Sequence, residues 1–297
     1  ATINLKQGPV NLLVGLIEPN LGLGTNWSYQ MQGIQADFAF SPVTLTLIYG
    51  KESEGGAAGN TLTDDGANDD TNLFAGQLTY AADAFTAGIH AAFQDNAAND
   101  TDKNGLGFFF SAPIGAGKLA GEIVTFNGDA SATTEYAGTQ FFIGYNTPVS
   151  ETLSLGVEVI WAQDADANEV QITAVEDDAN YTLLDWAGAL GYNNAPLTGC
   201  GIFDVSGDGA GVMGIVGNVK FSASEALTLY AKLGYFEPKE DSKTNLDSKL
   251  VAIANFDYAV MPAVTLSGGI SYAAPDYDDG SNDDEQIVST LQLGVSF

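Results

Sequence analysis

Residues 285–297 read Glu-Gln-Ile-Val-Ser-Thr-Leu-Gln-Leu-Gly-Val-Ser-Phe. Ile287, Leu291, Leu293, Val295 and Phe297 alternate with Val288, Thr290, Gln292, Gly294 and Ser296. One set is apolar, and the other is mostly small or polar. A period of two is that of a β-strand whose two faces meet different surroundings. Whether those surroundings are a core and water, or something else, depends on how often the rest of the chain repeats the design.

It repeats throughout. Val10, Leu12, Val14 and Leu16 share one face, and Ile34, Ala36, Phe38 and Phe40 another, with Gln35 and Asp37 opposite. Val43, Leu45, Leu47 and Tyr49 face away from Thr44 and Thr46, while Phe74, Leu78 and Tyr80 face away from Gln77 and Thr79. Similar segments cover 85–93, 106–110, 119–126, 137–145, 153–161, 213–221, 227–235, 250–258 and 264–272, which makes 14 strands with the last. Short turns (SP, AADA, APIGAG, TPVSE, SASEA, VMPA) alternate with longer acidic or Gly/Asn-rich loops, among them 52–71, 95–104, the GDASATTE stretch and 275–285. Residues 1–9 read as a leader or the end of a strand.

Composition bounds what such a chain can be. Its 297 residues include 38 acids and only 9 bases, all lysine, for a net charge of −29. A polyanion of this kind repels nucleic acid, which excludes that class of partner. The absence of arginine disfavours bidentate grips on phosphate or carboxylate. The 35 glycines, 16 phenylalanines and 12 tyrosines favour strands and turns. No run approaches the length of a transmembrane helix, whereas alternating strands escape hydropathy plots because half their residues meet water. Cys200 is the sole cysteine, so an intrachain disulfide framework is excluded.

Short turns on one side, long loops on the other, aromatics near strand ends and a last strand ending on Phe297 together resemble the bacterial outer-membrane porin-like β-barrels. The resemblance implies an all-β fold: a single transmembrane antiparallel barrel spanning 1–297, of about 14 strands, or 16 if residues 164–210 hide two more. It implies a Gram-negative outer membrane, contact with lipid bilayer and lipopolysaccharide, and insertion by the outer-membrane assembly machinery with Phe297 as the signal. It leaves monomer and homotrimer open. The last strand is expected to close the barrel against the strand at 10–16.

A barrel of this size encloses a hydrated interior, so the opposite face becomes a pore wall: Asp37, Thr44, Thr46, Gln77, His90, Glu122, Glu158, Lys220, Lys232, Asp257 and Gln292. The expected function is passive diffusion of small hydrophilic solutes and ions, with cations preferred because of the acidic loops. A substrate-selective channel, or a sheath or anchor for a partner protein, is the alternative. Loop 164–210 contains the apolar Tyr181–Tyr192, and a 47-residue excursion is usually functional. Tyr181, Asp185 and Trp186 are therefore candidates for a constriction or cap, against an ordinary extracellular hairpin. Asp204, Ser206 and Asp208 resemble the start of a calcium loop, but position twelve is Ile215 rather than an acid; no cofactor is otherwise expected. Catalysis is not expected: His90 is the only histidine, and no serine sits in a G-x-S-x-G context.

Overall fold

The computed structural model describes residues 2–17, 19, 21–23, 31–53, 71–97, 100–171, 210–240, 246–277 and 285–295. They form sixteen strands. The first six are β1 (Thr2–Gln7), β2 (Val10–Ile17), β3 (Met31–Phe40), β4 (Val43–Ser53), β5 (Thr71–Ala82) and β6 (Phe85–Asn96). Then come β7 (Thr101–Ile114), β8 (Gly117–Ser131), β9 (Thr134–Pro148), β10 (Leu153–Ala162) and the short β11 (Glu169–Gln171). The last five are β12 (Val212–Ser222), β13 (Leu227–Pro238), β14 (Leu246–Met261), β15 (Val264–Tyr277) and β16 (Gln286–Val295). All lie in one sheet in chain order, except β11, which runs parallel to β9 beside Glu135–Ala137. From β1 to β7, between β10 and β12, and from β12 to β16, neighbouring strands pair antiparallel.

Several expectations need correction. Of the two readings of residues 1–9, the strand is the one observed: residues 2–7 form β1, which pairs with β2 from Thr2↔Gly15 to Gln7↔Val10. The other edge of β2 pairs with β3, so β16 cannot pair with the 10–16 strand. A strand has only two edges, and both are used. Two of the expected long loops are short connections instead. The β6–β7 link spans 97–100, and β8 and β9 are joined through Ala132 and Thr133. Acidic and polar residues there extend the strands beyond the apolar stripe. Composition marks the end of the stripe, not the end of the hydrogen-bonded ladder.

The short turns are locally encoded. Ser150 and Ser224 occupy equivalent positions, and each hydroxyl accepts backbone N–H bonds from the following residues (Thr152 and Leu153; Ala226 and Leu227). A serine side chain mimicking a backbone turn acceptor is a standard reason for finding it there. Gly8 and Gly115 hold the left-handed conformation at their turns, with φ of 58° and 61°.

Chain contacts divide the protein into two compact units. One comprises 1–111, 122–140 and 165–179, and the other 112–121, 141–164 and 180–297. Each inverts the usual burial rule. In the first, Phe74, Leu78, Tyr80, Phe85, Ile89 and Phe93 are exposed on β5 and β6, while Thr71, His90 and Gln94 are buried opposite them. In the second, Met213, Ile215, Leu229, Leu233, Leu291 and Leu293 are exposed, while Glu158, Asn218 and Ser271 are buried. Leu291 reaches 71% exposure and Glu158 0%. Soluble monomers rarely expose contiguous apolar surface, and this one does so strand after strand. Such a surface is stable in hydrocarbon.

Aromatic pairs frame the apolar surface. Tyr49 meets Phe74 at 4.8 Å, and Tyr80 meets Phe85 at 5.5 Å. Phe74 and Tyr80 stand six residues apart on β5, about 20 Å of strand. That fits an apolar band flanked by aromatic girdles. In the second unit Phe141 stacks on Trp161 at 5.6 Å, and the Lys239 ammonium lies 5.3 Å from the Trp161 ring and bonds Asp164. This exposed ion pair should contribute no more than about 1 kcal/mol, so Lys239→Ala should leave thermal unfolding nearly unchanged.

Candidate functional site: the inner face

Directly paired residues of neighbouring strands point to the same face, so the register defines rows. One row in the first unit runs Asn11–Asp37–Thr46–Gln77–His90–Gly107 from β2 to β7. Thr44 lies one step away, opposite Thr79. In the second unit one row runs Ser222–Thr228–Asp257–Ser267–Gln292, another Gly156–Asn218–Lys232–Ile253–Ser271, and a third Ser154–Lys220–Tyr230–Asn255. Glu122 and Glu158 are buried on the same side of their strands as these rows. The structure thus places Asp37, Thr44, Thr46, Gln77, His90, Glu122, Glu158, Lys220, Lys232, Asp257 and Gln292 on the inner, polar face. Tyr181, Asp185, Trp186, Asp204, Ser206, Asp208, Cys200 and Phe297 lie outside the described residues. Among the described residues no cluster of three metal-ligating side chains occurs.

The inner charges are held by neighbours. Asp37 accepts from Asn11 Nδ2 at 3.2 Å, Gln35 Nε2 at 3.1 Å and Thr46 Oγ1 at 2.8 Å. Asp257 Oδ1 accepts from Ser267 Oγ at 2.6 Å. Lys103 and Lys220 lie over the rings of Tyr136 and Tyr230, at 5.3 and 5.7 Å.

Glu158 is the most enclosed acid among the described residues of the second unit. Asn218 Nδ2 donates to its Oε1 at 2.9 Å, and Lys232, paired with Asn218, supplies the opposing charge. Gly156 makes room: a Cβ there would overlap the Asn218 amide. Asn218→Leu should strand the carboxylate and destabilise the protein by about 1–3 kcal/mol, whereas the Glu158→Leu/Asn218→Leu double variant should be close to neutral. Urea unfolding of the three proteins in detergent measures this.

The first unit holds a tighter constellation. His90 Nε2 donates to Glu122 Oε1 at 2.6 Å. The other carboxylate oxygen, Oε2, accepts the backbone N–H of Leu23 at 2.9 Å, and Gln77 Oε1 accepts that of Gly22 at 2.6 Å. Gly22 and Leu23, between β2 and β3, therefore meet side chains from the middle of β5 and β8. Glycines allow this approach. A Cβ on Gly107, directly opposite His90, would overlap the imidazole, and one on Gly22 (φ +66°) would overlap Glu122 Oε1.

The inner face is not uniformly wet, contrary to the hydrated lining expected from its Thr, Ser and Gln. In the first unit Ile17, Leu21, Met31, Ile48, Leu73, Ala92, Val124 and Phe126 form a buried apolar cluster. In the second, Phe142, Ile160, Val216, Phe236 and Val251 are buried inward. Phe236 lies over Gly214 and Gly234, where a Cβ would overlap its ring. These residues sit in strands whose other face is also apolar, so alternation does not distinguish them. The unevenly placed glycines opposite large side chains were the available signal. Lys103 and Lys118 are inner lysines that the alternation argument also passed over: Lys103 pairs with buried Gln94, and Lys118 shares the parity of Glu122.

Exposed apolar girdles, buried polar rows and in-order antiparallel strands define an outer-membrane porin-type β-barrel. No protein-family model and no curated protein sequence matches the chain. Solved structures do, and they show the fold. Pseudomonas aeruginosa OccK11 (OpdR) superposes with a TM-score of 0.62 at 13% identity, over 99% of this chain and 79% of that one. OccK2 (OpdF) of the same organism, solved with glucuronate, gives 0.60 at 13% identity, over 100% and 81%. An anion-selective porin from Comamonas acidovorans gives 0.55 at 12% identity, over 83% and 69%.

Proposed function

We propose that this chain is an outer-membrane porin, a channel through which small hydrophilic solutes and ions diffuse passively. The inversion of burial carries the reading: a large apolar face suited to lipid, and an opposite face where Thr71, His90, Gln94, Glu122, Glu158 and Asn218 are buried. The porin structures it resembles support a channel rather than an enzyme. His90, the only histidine, is engaged with Glu122 in the wall. Reconstitution in planar bilayers should give discrete conductance steps; a folded protein that never conducts would overturn the proposal.

Ion preference has two opposed sources. The chain carries a net −29, which raises the cation concentration near its acidic segments. Acids are not in excess on the described inner face: Asp37, Glu122, Glu158 and Asp257 stand against Lys6, Lys103, Lys118, Lys220, Lys232 and Lys249. A cation preference should therefore come from outside the wall and be screened. Reversal potentials under KCl gradients should favour K⁺ at about 0.01 M salt, where the screening length is about 30 Å, and lose that bias near 1 M, where it is about 3 Å. Anion preference at low salt would reverse this part of the reading.

A second reading, a substrate-selective channel, is favoured by the inward apolar clusters around Leu73 and Phe236. Dry packing on the inner face narrows the wet path. Graded sugars that block conductance well below the size expected for an open barrel would select this reading.

A further inference from the structure

We propose that Leu21–Leu23 is the width-setting constriction of the channel, pinned to the wall by Glu122 and Gln77 and positioned by His90. The inference rests on the channel reading above. Its residues are not those of the 164–210 segment that the sequence singled out.

Four observations converge on these three residues. Leu21 is fully buried within the inward apolar cluster beside Ile17, Leu73 and Val124, which anchors the segment to the sheet. Gly22 and Leu23 give their backbone N–H groups to Gln77 and Glu122, side chains of the inner wall on two strands, β5 and β8. Gln77 lies six residues from the loop-side end of β5, and Glu122 nine from that of β8, so the segment reaches about 20–30 Å of strand inward from that rim. The site is also shaped for backbone. Glycine at 22 is required for the approach to Glu122, and glycine at 107 is required beneath the His90 ring.

The division of labour within Glu122 makes it the key residue. One oxygen is fixed from the wall side by His90, and the other takes the inward segment. His90 is a positioning residue: it orients the carboxylate so that Oε2 meets Leu23. A carboxylate committed to two donors is part of the structure of the constriction rather than a free charge for passing solutes.

The test is single-channel recording of Glu122→Ala, Gln77→Ala and Glu122→Gln beside the wild type, with folding checked by heat-modifiable gel migration. Freeing the segment should raise conductance about twofold and admit larger sugars. Glu122→Gln keeps a carbonyl acceptor and should fall nearer the wild type than Glu122→Ala, a difference that a merely structural role would not produce. Folded alanine variants with wild-type conductance and sugar cut-off would overturn the proposal. If Glu122→Ala does not fold, Gln77→Ala decides by the same measure. If the wild type conducts nothing, the channel reading fails instead. The pinning is then read from thiol labelling of Leu23→Cys in a Cys200→Ser background, which should be about tenfold faster when Gln77→Ala is added, corresponding to about 1.4 kcal/mol of lost anchoring; an equal rate would overturn it.

Discussion

Ile89→Arg should keep the protein from inserting. Ile89 is 53% exposed, lies between Phe85 and Phe93 on β6, and is flanked in register by Leu78 and Phe108. If that surface met water, an arginine there would be almost neutral, as most exposed substitutions are within about 0.5 kcal/mol. Facing hydrocarbon near mid-depth, it should cost about 2–4 kcal/mol. Folding yield into lipid vesicles, read as the heat-modifiable fraction, distinguishes the two. Asp95, near the end of β6, already shares the outward parity of Ile89, so the penalty should depend steeply on depth. Asp95→Arg should insert almost normally.

Gly107→Leu should disrupt the inner face from the other side. The new side chain would occupy the space of the His90 ring, which is 2% exposed and cannot move into solvent without breaking its bond to Glu122. Overpacking alone costs about 1–3 kcal/mol. Breaking the buried His90–Glu122 hydrogen bond leaves polar groups unsatisfied, which costs about 1–3 kcal/mol. The two effects overlap, so about 2–4 kcal/mol of destabilisation is expected in urea unfolding. Gly105→Ala, on the same strand and face, should be much milder if the effect belongs to His90. If the unfolding midpoint of Gly107→Leu matched the wild type, the His90–Glu122 packing described above would be incorrect.

Both variants act on one architectural fact. Polar groups inside a membrane barrel are stable only when paired or wet, and apolar groups outside are stable only in lipid. The rows through Asp37 and Asp257 satisfy the first condition by cross-strand hydrogen bonds to Thr46 and Ser267. The aromatic pairs Tyr49–Phe74 and Tyr80–Phe85 mark the limits of the second.

Alternation along the sequence was enough to sort Asp37, Thr46, Gln77, Glu158, Lys232 and Gln292 from Ile34, Leu78, Val159, Leu233 and Leu291. Side-chain direction in a strand is decided by the backbone within two residues, so no knowledge of distant partners is needed. The existence of the strands and the location of the short turns followed from the same local rule. The edge partners of β2, the meeting of His90 with Glu122 across Gly107, and the inward reach of Leu21–Leu23 did not. Each depends on register between strands or on the path of a connection, and brings together residues 30 to 100 positions apart whose neighbourhood no local period encodes. The buried side chains of Phe126, Phe142 and Phe236 were hidden for a related reason: in a barrel wall an apolar residue can point either way, and only tertiary packing decides which ones stay dry.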